Sequence, residues 1–369
     1  MIVVLKAHVP ADGPEIARVV AMAHSYPGIT TEVHRIEGVG RALTEIYLLG
    51  PTHAVPTAPF EEFEAVEKVV RITQKYRFIG RHDDVNVEPM GFEYNGVRFS
   101  QESFHLFPGL CAVDTPEHVD ETFAALSALG IVTTRAGAYK PRTSPYDFQG
   151  HGKSCLPFLF ELAGKHGIRV IAMEVTHESH IEEIRRALET AGNPTGVMLQ
   201  IGTRNAQNFE LLKAVGQETT MPVLFKRGMG ITLEESLNAC EYVASGGNRR
   251  IVFCLRGVKS HLGDPHRNFV DVAHVPVVHR LTRLPVCVDP SHSVGRRSVG
   301  PDGLLDILHV TAQGVVAGAN MVLVDVHPHP ELALCDGPQA LRLEELPHFF
   351  ADAAIVRHAY EERRRLVQR

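Results

Sequence analysis

Cationic side chains follow several short apolar runs of this 369-residue chain, and cations are the groups that bind anionic ligands. The cations are Arg135, Lys140, Arg142, Arg204, Lys226 and Arg256. Arg and Lys are almost never buried without a partner, and the fork of Arg matches phosphate and carboxylate oxygens. Any one of these cations could instead pair with Asp or Glu at a solvated rim, but this alternative is a poor explanation for all six together. The set therefore predicts a cleft that binds more than one phosphate.

A second group combines a thiol, an imidazole and two carboxylates. Its members are Cys111, His292, Asp325 and Asp336. Mixed soft and hard ligands suit a divalent ion such as Mn, Fe, Zn or Co. Spacing alone does not reveal the group, because a single Cys is more often a small buried hydrophobe and a loop His more often a hydrogen-bonding residue. We expect four other cysteines to be core residues, namely Cys155, Cys240, Cys254 and Cys287.

Eight apolar runs from Phe104 onward must position these side chains. They are residues 104–110, 131–135, 168–174, 196–202, 222–226, 250–256, 284–289 and 320–326. Runs buried on both faces, with helix-like stretches between them, predict parallel strands joined by helices. An open sheet would be expected to carry a dinucleotide glycine fingerprint, which the sequence lacks, so we expect a (β/α)8 TIM barrel. Because barrel active sites form where the strands end, both groups should meet at one face.

The first 78 residues predict a small α+β domain. Residues 2–5 and 43–49 have strand patterns, and residues 12–25 and about 60–70 have helix patterns, with the strand-like VVRIT overlapping the end of the second helix. This order predicts a ferredoxin-like, split βαβ domain over residues 1–78. Residues 79–100 are rich in polar and turn residues, so we expect a linker with a small hairpin there, and the catalytic barrel over residues 101–369.

Composition excludes several classes of protein. With 44% hydrophobic and 22% charged residues the chain is neither disordered nor collagen-like. A net charge of -6 argues against a general nucleic-acid or anionic-membrane surface, so we expect no such partner. No apolar run approaches the roughly 18–20 residues of a membrane helix. The six cysteines form no CxxC motif and the N-terminus lacks a signal-peptide pattern, which predicts a reduced, cytoplasmic protein.

The stretch RAGAYKPRTSPYDFQG at residues 135–150 resembles the signature of 3-deoxy-D-arabino-heptulosonate 7-phosphate (DAHP) synthases. The motifs IGTRNAQNF, PVLFKRG, LRG, DPSHSVGRR and VHPHPELALCDGPQ follow in the family's order, so the resemblance covers the whole barrel. The N-terminal segment is similar to the type Iβ subgroup, in which a ferredoxin-like domain serves feedback regulation in some members. Related octulosonate 8-phosphate synthases have a KANRSS-like stretch where this chain has KPRTS, which favours the four-carbon aldose phosphate.

The resemblance assigns a role to each matching residue. The phosphoenolpyruvate ligands would be Arg135, Lys140, Thr203, Arg204, Lys226 and Arg256. The erythrose 4-phosphate ligands would be Arg142, Thr143 and Ser144. The metal ligands would be Cys111, His292, Asp325 and Asp336. The catalytic residues would be Lys140, Glu174 and His292, with proton transfer by Lys140 or by Glu174 through a water. Asp325 stands where the family usually has Glu.

The implied activity is a metal-dependent aldol-type condensation of phosphoenolpyruvate with erythrose 4-phosphate, the first step of the shikimate pathway. The family also implies a homo-oligomer, a dimer or a tetramer. Two alternatives stay open at this point. One is a divergent paralogue of secondary metabolism that uses an amino or otherwise altered aldose phosphate. The other is a silent barrel with a regulatory or binding role, although such a barrel would have no reason to keep an intact metal set.

Overall fold

The computed structural model describes residues 1–7, 9–10, 13–38, 41–71, 75–82 and 87–367. The chain divides into two compact units, Met1–Asn86 and Val87–Arg369. The predicted first helix includes residue 12 and the predicted linker includes residues 83–86, and these lie outside the described residues. Each unit has its own hydrophobic core.

The first unit is a four-stranded antiparallel sheet with two helices. Its elements are β1 (Ile2–Leu5), α1 (Pro14–His24), β2 (Thr30–Gly38), β3 (Arg41–Leu49), α2 (Ala58–Glu61) and β4 (Val66–Val70). The strand order β2-β3-β1-β4 with this βαββαβ sequence is the ferredoxin-like arrangement, as predicted. Ile16, Val19 and Ala23 of α1 are buried in one core with Val3 and Phe60, because their spacing places them on one helix face.

Two details of this unit differ from the sequence prediction. The helix predicted at about 60–70 is wrong, since α2 ends at Glu61 and the β-branched stretch Val66–Val70 forms an edge strand beside β1. Strand β2 was not predicted. It is paired on one side only, and Glu32 and Val33 are both exposed, so the apolar alternation of a half-buried strand is missing.

The second unit begins with a β-hairpin. Its strands are β5 (Phe92–Tyr94) and β6 (Val97–Phe99). Val97 and Phe99 share a core with side chains from inside the barrel, including Val170, the first residue of its strand. The hairpin therefore closes the N-terminal end of the barrel.

Eight parallel strands form a closed barrel, which confirms the predicted TIM fold. They are β7 (His105–Leu110), β8 (Thr133–Ala136), β9 (Val170–Val175), β10 (Gly196–Ile201), β11 (Val223–Lys226), β12 (Ile251–Leu255), β13 (Val286–Val288) and β14 (Met321–Asp325). Each lies within a predicted run or one residue beyond it. From β8 to β14 every strand residue is buried, because helices cover the outside and side chains fill the inside.

Helices connect and cover the strands. They are α3 (Pro116–Ala128), α4 (Leu156–Lys165), α5 (Ser179–Thr190), α6 (Phe209–Gln217), α7 (Leu233–Ser245), α8 (Val275–Leu281), α9 (Pro290–Val294), α10 (Asp306–Val316) and α11 (Leu346–Val367). Several begin at side-chain caps, such as the reciprocal Thr232–Glu235 pair at α7. Among the described residues, no helix is both long and apolar enough to cross a membrane.

The cysteines expected in the core are buried. Cys254 and Cys287 belong to the barrel's interior cluster, and Cys155 and Cys240 are at most 1% exposed. All six cysteines of the chain are free thiols.

Candidate active site

A polar cavity of about 210 Å³ opens at the C-terminal ends of the barrel strands. Its lining includes Arg135, Lys140, Arg142, Thr143, Glu174, Gln200, Gly202, Thr203, Arg204, Lys226, Arg256, Arg267, His292 and Asp336. All six cations that the sequence singled out therefore reach one cavity. The barrel topology is the reason, since parallel strands present their C-terminal ends at one face.

Buried ion pairs form the floor of this cavity. Arg135, at the end of β8, pairs with Asp325 at the end of β14. The Lys226 Nζ lies 2.5 Å from an Asp289 oxygen, and the Lys140 Nζ lies 3.6 Å from a Glu174 oxygen. Each of these residues is 8% exposed or less, so carboxylates balance the buried cations.

Arg256 is the floor cation with the most unpartnered donors among the described residues. The residue is 3% exposed, and its Nε and Nη1 atoms find no hydrogen-bond acceptor among the described residues. Burial is the main cause that lowers the pKa of this guanidinium. Leaving buried charged donors unpaired costs about 1–3 kcal/mol or more, which an anionic ligand would remove. Arg256 therefore points to an anion at this end of the cavity.

Gln200 is another unpartnered group in the cavity, and it was not identified from the sequence as a site residue. It is 2% exposed on β10, and its Oε1 has no hydrogen-bond partner among the described residues. Beside it in the sheet register lies Glu174 of β9. In the sequence Gln200 is marked just by its polarity within an otherwise apolar strand, one residue before the last residue of that strand, Ile201.

The Glu174 carboxylate is placed by a close backbone approach. A Cβ atom on Gly202 would lie only 1.7 Å from its Oε1, so only glycine leaves room for the carboxylate here. The adjacent Thr203 donates its hydroxyl to the carbonyl of Arg227 at 2.8 Å, which fixes the turn after β10.

The rim of the cavity carries a different set of polar groups. Arg204 is exposed and donates to the Thr143 hydroxyl at 3.2 Å. Arg142 is partly exposed and lies 3.4 Å from an Asp147 oxygen. Ser144 does not line the cavity, because its hydroxyl accepts the backbone N–H of Tyr146 in the same loop.

The predicted metal ligands come together beside the cavity. One potential ligand atom from each of Cys111, His292, Asp325 and Asp336 lies within 4.8 Å of all the others. The His292 Nε2 is 3.6 Å from an Asp336 oxygen, and the Cys111 sulfur is 3.2 Å from the same oxygen. The donor set of sulfur, nitrogen and two carboxylates fits a divalent transition ion.

Asp289 orients the imidazole of His292. It caps the five-residue helix α9 by accepting the backbone N–H of His292, and its carboxylate lies 2.9 Å from the His292 Nδ1. The Nδ1–H therefore donates to Asp289 and leaves Nε2, which lies 3.6 Å from Asp336, available to an ion, as in the usual carboxylate–histidine–metal arrangement. Although burial acts in the opposite direction, Asp289 and Asp325 raise the pKa of His292 to about 10.

Asp336 stays ionised beside this imidazole. Burial opposes the charge, but the hydrogen bond with His292 and the nearby Arg267 hold the pKa of Asp336 well below its usual range. Arg267 donates to Asp336 at 3.2 Å and to Gln339 at 3.0 Å. Arg267 lies in the loop after β12, and no local sequence pattern marks it.

A second cluster of possible ligands lies behind the first. It consists of Asp114, His118 and His327. The His327 Nδ1 accepts the backbone N–H of His329 at 2.9 Å, so Nε2 carries the ring proton and donates it to Asp114 at 2.6 Å. Neither ring nitrogen of His327 is then available to an ion, and the cluster is a hydrogen-bonded anchor for the loop after β14.

Comparisons with known proteins agree with this geometry. Residues 93–358 match the model of the DAHP synthetase I family. The phospho-2-dehydro-3-deoxyheptonate aldolase of Thermotoga maritima is 38% identical over 345 residues, which is 93% of this chain and 94% of the relative. The crystal structure of the Thermotoga maritima DAHP synthase matches with a TM-score of 0.67 and 34% identity, covering 100% of this chain and 97% of that chain.

A more distant relative is the 2-dehydro-3-deoxyphosphooctonate aldolase of Geobacter sulfurreducens. It is 30% identical over 213 residues, covering 56% of this chain and 72% of the relative. The match to the heptonate enzyme is therefore both longer and closer. By its family match and by a relative aligned over nearly the full length of both proteins, this chain belongs to the DAHP synthetase I family.

Proposed function

We propose that the protein condenses phosphoenolpyruvate with erythrose 4-phosphate to give DAHP and inorganic phosphate. The buried Arg256 carries this proposal, because its unpartnered donors require an anion at the inner end of a cation-lined cavity. The long match to a heptonate aldolase supports the seven-carbon product, and the KPRTS stretch at residues 140–144 supports the four-carbon aldose phosphate.

Phosphoenolpyruvate would bind at the floor of the cavity. Its ligands would be Arg135, Lys140, Thr203, Lys226 and Arg256, with Arg204 reaching it from the rim. Arg135 and Lys226 already face carboxylates, and the phosphate and carboxylate of the substrate would share these charges. Two anionic groups held on fixed cations orient the reacting enol carbon, and such positioning lowers the barrier by several kcal/mol, up to about 7–11 in the best intramolecular models.

Erythrose 4-phosphate would bind at the rim. Arg142, Thr143 and Ser144 are the proposed ligands, since a guanidinium and two hydroxyls suit a terminal phosphate. Arg142 and Thr143 line the cavity, and Ser144 could contribute only if its hydroxyl left the Tyr146 N–H. The aldehyde would then point inward, toward the enol carbon.

A divalent ion would be held by Cys111, His292, Asp325 and Asp336, and its identity among Mn, Fe, Zn and Co is not fixed by the ligand set. When bound there, it would act as a Lewis acid on the aldehyde oxygen. Asp289 would hold His292 in the ligating orientation.

Lys140 and Glu174 are the proposed proton-transfer residues. His292 is the third proposed catalytic residue and would act as a ligand of the divalent ion. The Lys140 Nζ lies 3.6 Å from Glu174, and both side chains line the cavity. The Lys140 ammonium can deliver a proton to one reacting atom. The neighbouring Glu174 carboxylate can orient the water that adds at C2 of phosphoenolpyruvate.

A phosphate-release assay tests the proposal. Purified protein is supplied with phosphoenolpyruvate and, in separate reactions, erythrose 4-phosphate, arabinose 5-phosphate and other aldose phosphates, with and without EDTA. We expect the highest kcat/KM with erythrose 4-phosphate and loss of activity with EDTA. A preference for another aldose phosphate would contradict the proposed substrate.

Three broader proposals follow from the family. The unit Met1–Asn86 would be regulatory, as ferredoxin-like domains are in some type Iβ members. The protein would work in the cytoplasm, where reducing conditions suit its six free thiols. It would assemble as a dimer or tetramer, which analytical ultracentrifugation of the full chain can measure.

A further inference from the structure

Cys335, a residue to which no role has been assigned, lies beside the proposed metal ligands. Its sulfur is 3.7 Å from the Cys111 sulfur and 3.5 Å from the Asp336 carboxylate. The side chain is buried, and the loop after β14 presents it and Asp336 in succession. Arg142 donates to the Cys335 sulfur at 2.7 Å, so a cation stabilises negative charge on that atom.

These separations match those between neighbouring ligands about 109° apart on a single ion. With zinc–sulfur bonds of about 2.3 Å, two thiolates at the tetrahedral angle lie about 3.8 Å apart. With a zinc–oxygen bond of about 2.0 Å, a thiolate and a carboxylate oxygen lie about 3.5 Å apart. The measured sulfur–sulfur distance is 3.7 Å, and the two sulfur–oxygen distances to the Asp336 Oδ2 are 3.2 and 3.5 Å.

An ion at this site can accept another ligand, because both oxygens of Asp325 already accept hydrogen bonds from protein donors. Oδ1 pairs with Arg135, and Oδ2 accepts from the Gln339 amide at 2.5 Å. Its side chain is also one methylene shorter than the Glu that the family usually has. An ion at this site would therefore draw less on Asp325 and have more need of another donor.

We propose that Cys335 is a further metal ligand, which gives the site two thiolates. This inference rests on the proposed metal site and extends it to the choice of ion. Soft thiolate ligands favour zinc over manganese, whereas carboxylate and water ligands favour manganese. The site is thus a zinc-selecting one, and Cys335 sets that selectivity.

X-ray absorption of the zinc-loaded protein tests the proposal by counting sulfur ligands. The full chain is reduced, freed of metal, loaded with one equivalent of zinc and compared with Cys335→Ser and with Cys155→Ala. Cys155 is buried away from the site and its thiol donates to the Gly152 carbonyl, so its variant is a matched control. We expect two sulfurs at about 2.3 Å in the wild type and in Cys155→Ala, and one in Cys335→Ser.

Other sulfur counts separate the two proposals. One sulfur in both the wild type and Cys335→Ser would overturn the role of Cys335 while leaving the metal site intact. No sulfur in any variant, with zinc bound elsewhere, would show that the proposed metal site itself is wrong.

Competition between metals gives a second readout that does not depend on activity. Zinc and manganese are titrated against a chromophoric chelator in each variant. We expect Cys335→Ser to lower the affinity for zinc about tenfold or more and to change the affinity for manganese much less. An unchanged ratio of the two affinities would overturn the proposed selectivity.

Discussion

At the residue scale, the metal ligands can be tested by removing them singly. We expect Cys111→Ala and His292→Ala to lose bound metal and at least about a hundredfold in activity, because even outer partners of metal ligands are worth about 10–100-fold. Metal content and phosphate release are measured on the same samples, and far-UV circular dichroism checks the fold. Full activity of a metal-free Cys111→Ala protein would contradict the assignment.

The two anion sites can be separated by two arginine variants. Arg142→Ala should raise KM for erythrose 4-phosphate, and Arg256→Ala should raise KM for phosphoenolpyruvate, each by about 10–100-fold, since a charge-assisted bond is worth about 1.5–3 kcal/mol. The reason is their placement, since Arg142 is at the rim and Arg256 is buried at the floor. Steady-state kinetics with each substrate varied in turn gives the answer. If each variant raised both KM values equally, the assignment of the two arginines to different substrates would be wrong.

The length of Asp325 offers another test. Asp325→Glu carries the family's usual side chain and should bind metal at least as tightly as the wild type while keeping measurable activity. Asp325→Ala should lose most of its metal binding and most of its activity. It also leaves the buried Arg135 without its carboxylate partner. Titration of metal into the metal-free wild type, Asp325→Glu and Asp325→Ala proteins measures the three affinities. If Asp325→Ala binds metal as well as the wild type, Asp325 is not a ligand.

Gln200 tests whether an unpartnered buried amide serves the substrate. We expect Gln200→Leu, which keeps the volume and removes the hydrogen-bonding groups, to lower kcat/KM about tenfold or more while keeping the melting temperature. Kinetics and thermal denaturation are compared with the wild type. A lower melting temperature with unchanged kinetics would assign Gln200 a structural role instead.

The sequence identifies charged and metal-binding residues better than it identifies neutral ones. Arg135 and Lys226 end apolar runs, so their charges stand out in the pattern. Gln200 also interrupts an apolar run, but a neutral amide is common in many environments and indicates no ligand. Cys335 gains its significance only from the sulfur 3.7 Å away on a residue more than two hundred positions distant.

At the scale of elements, the turn after β10 controls the position of Glu174. Gly202→Ala would place a Cβ atom 1.7 Å from the present position of Glu174 Oε1, so the carboxylate must leave the position in which it lies 3.6 Å from the Lys140 Nζ. We expect a fall in kcat of about a hundredfold, in line with the loss of a positioned proton-transfer group.

Gly230→Ala is the matched control, because a Cβ atom there meets nothing within 4 Å and its backbone lies outside the left-handed region. It should keep wild-type activity. Thermal denaturation of both variants separates misfolding from misplacement. Normal activity of Gly202→Ala would show that Glu174 tolerates displacement and is not catalytic.

Element prediction succeeded where burial is two-sided and failed at sheet edges. The barrel strands are continuous apolar runs because both faces are covered. In strand β2, Thr30, Glu32, Val33 and Arg35 are exposed, so this part of its sequence resembles a loop. For residues 60–70, Phe60, Phe63 and Val66 have helical spacing, yet the open edge of β1 is paired by Val66–Val70. A long-range pairing overrides the local pattern there.

At the scale of the whole molecule, the role of the first unit can be tested by removing it. A chain that begins at Val87 retains the hairpin, the barrel and every proposed site residue. We expect it to keep kcat/KM within a few-fold of the full chain and to lose any inhibition that aromatic amino acids exert on the full chain. Assays of both proteins with and without added tyrosine and phenylalanine measure this. A folded but inactive barrel would show that residues 1–86 contribute to catalysis.

The hairpin that closes the N-terminal end of the barrel leaves its opposite end as the way in. The floor cations are at most 8% exposed, whereas Arg204 and Thr143 lie exposed at the entrance. A molecule seated at the entrance would therefore block a molecule bound for the floor. If the two substrates bind as proposed, we expect a compulsory order of addition, with phosphoenolpyruvate first. An excess of erythrose 4-phosphate should accordingly slow the initial rate at low phosphoenolpyruvate, and this inhibition should disappear as phosphoenolpyruvate becomes saturating.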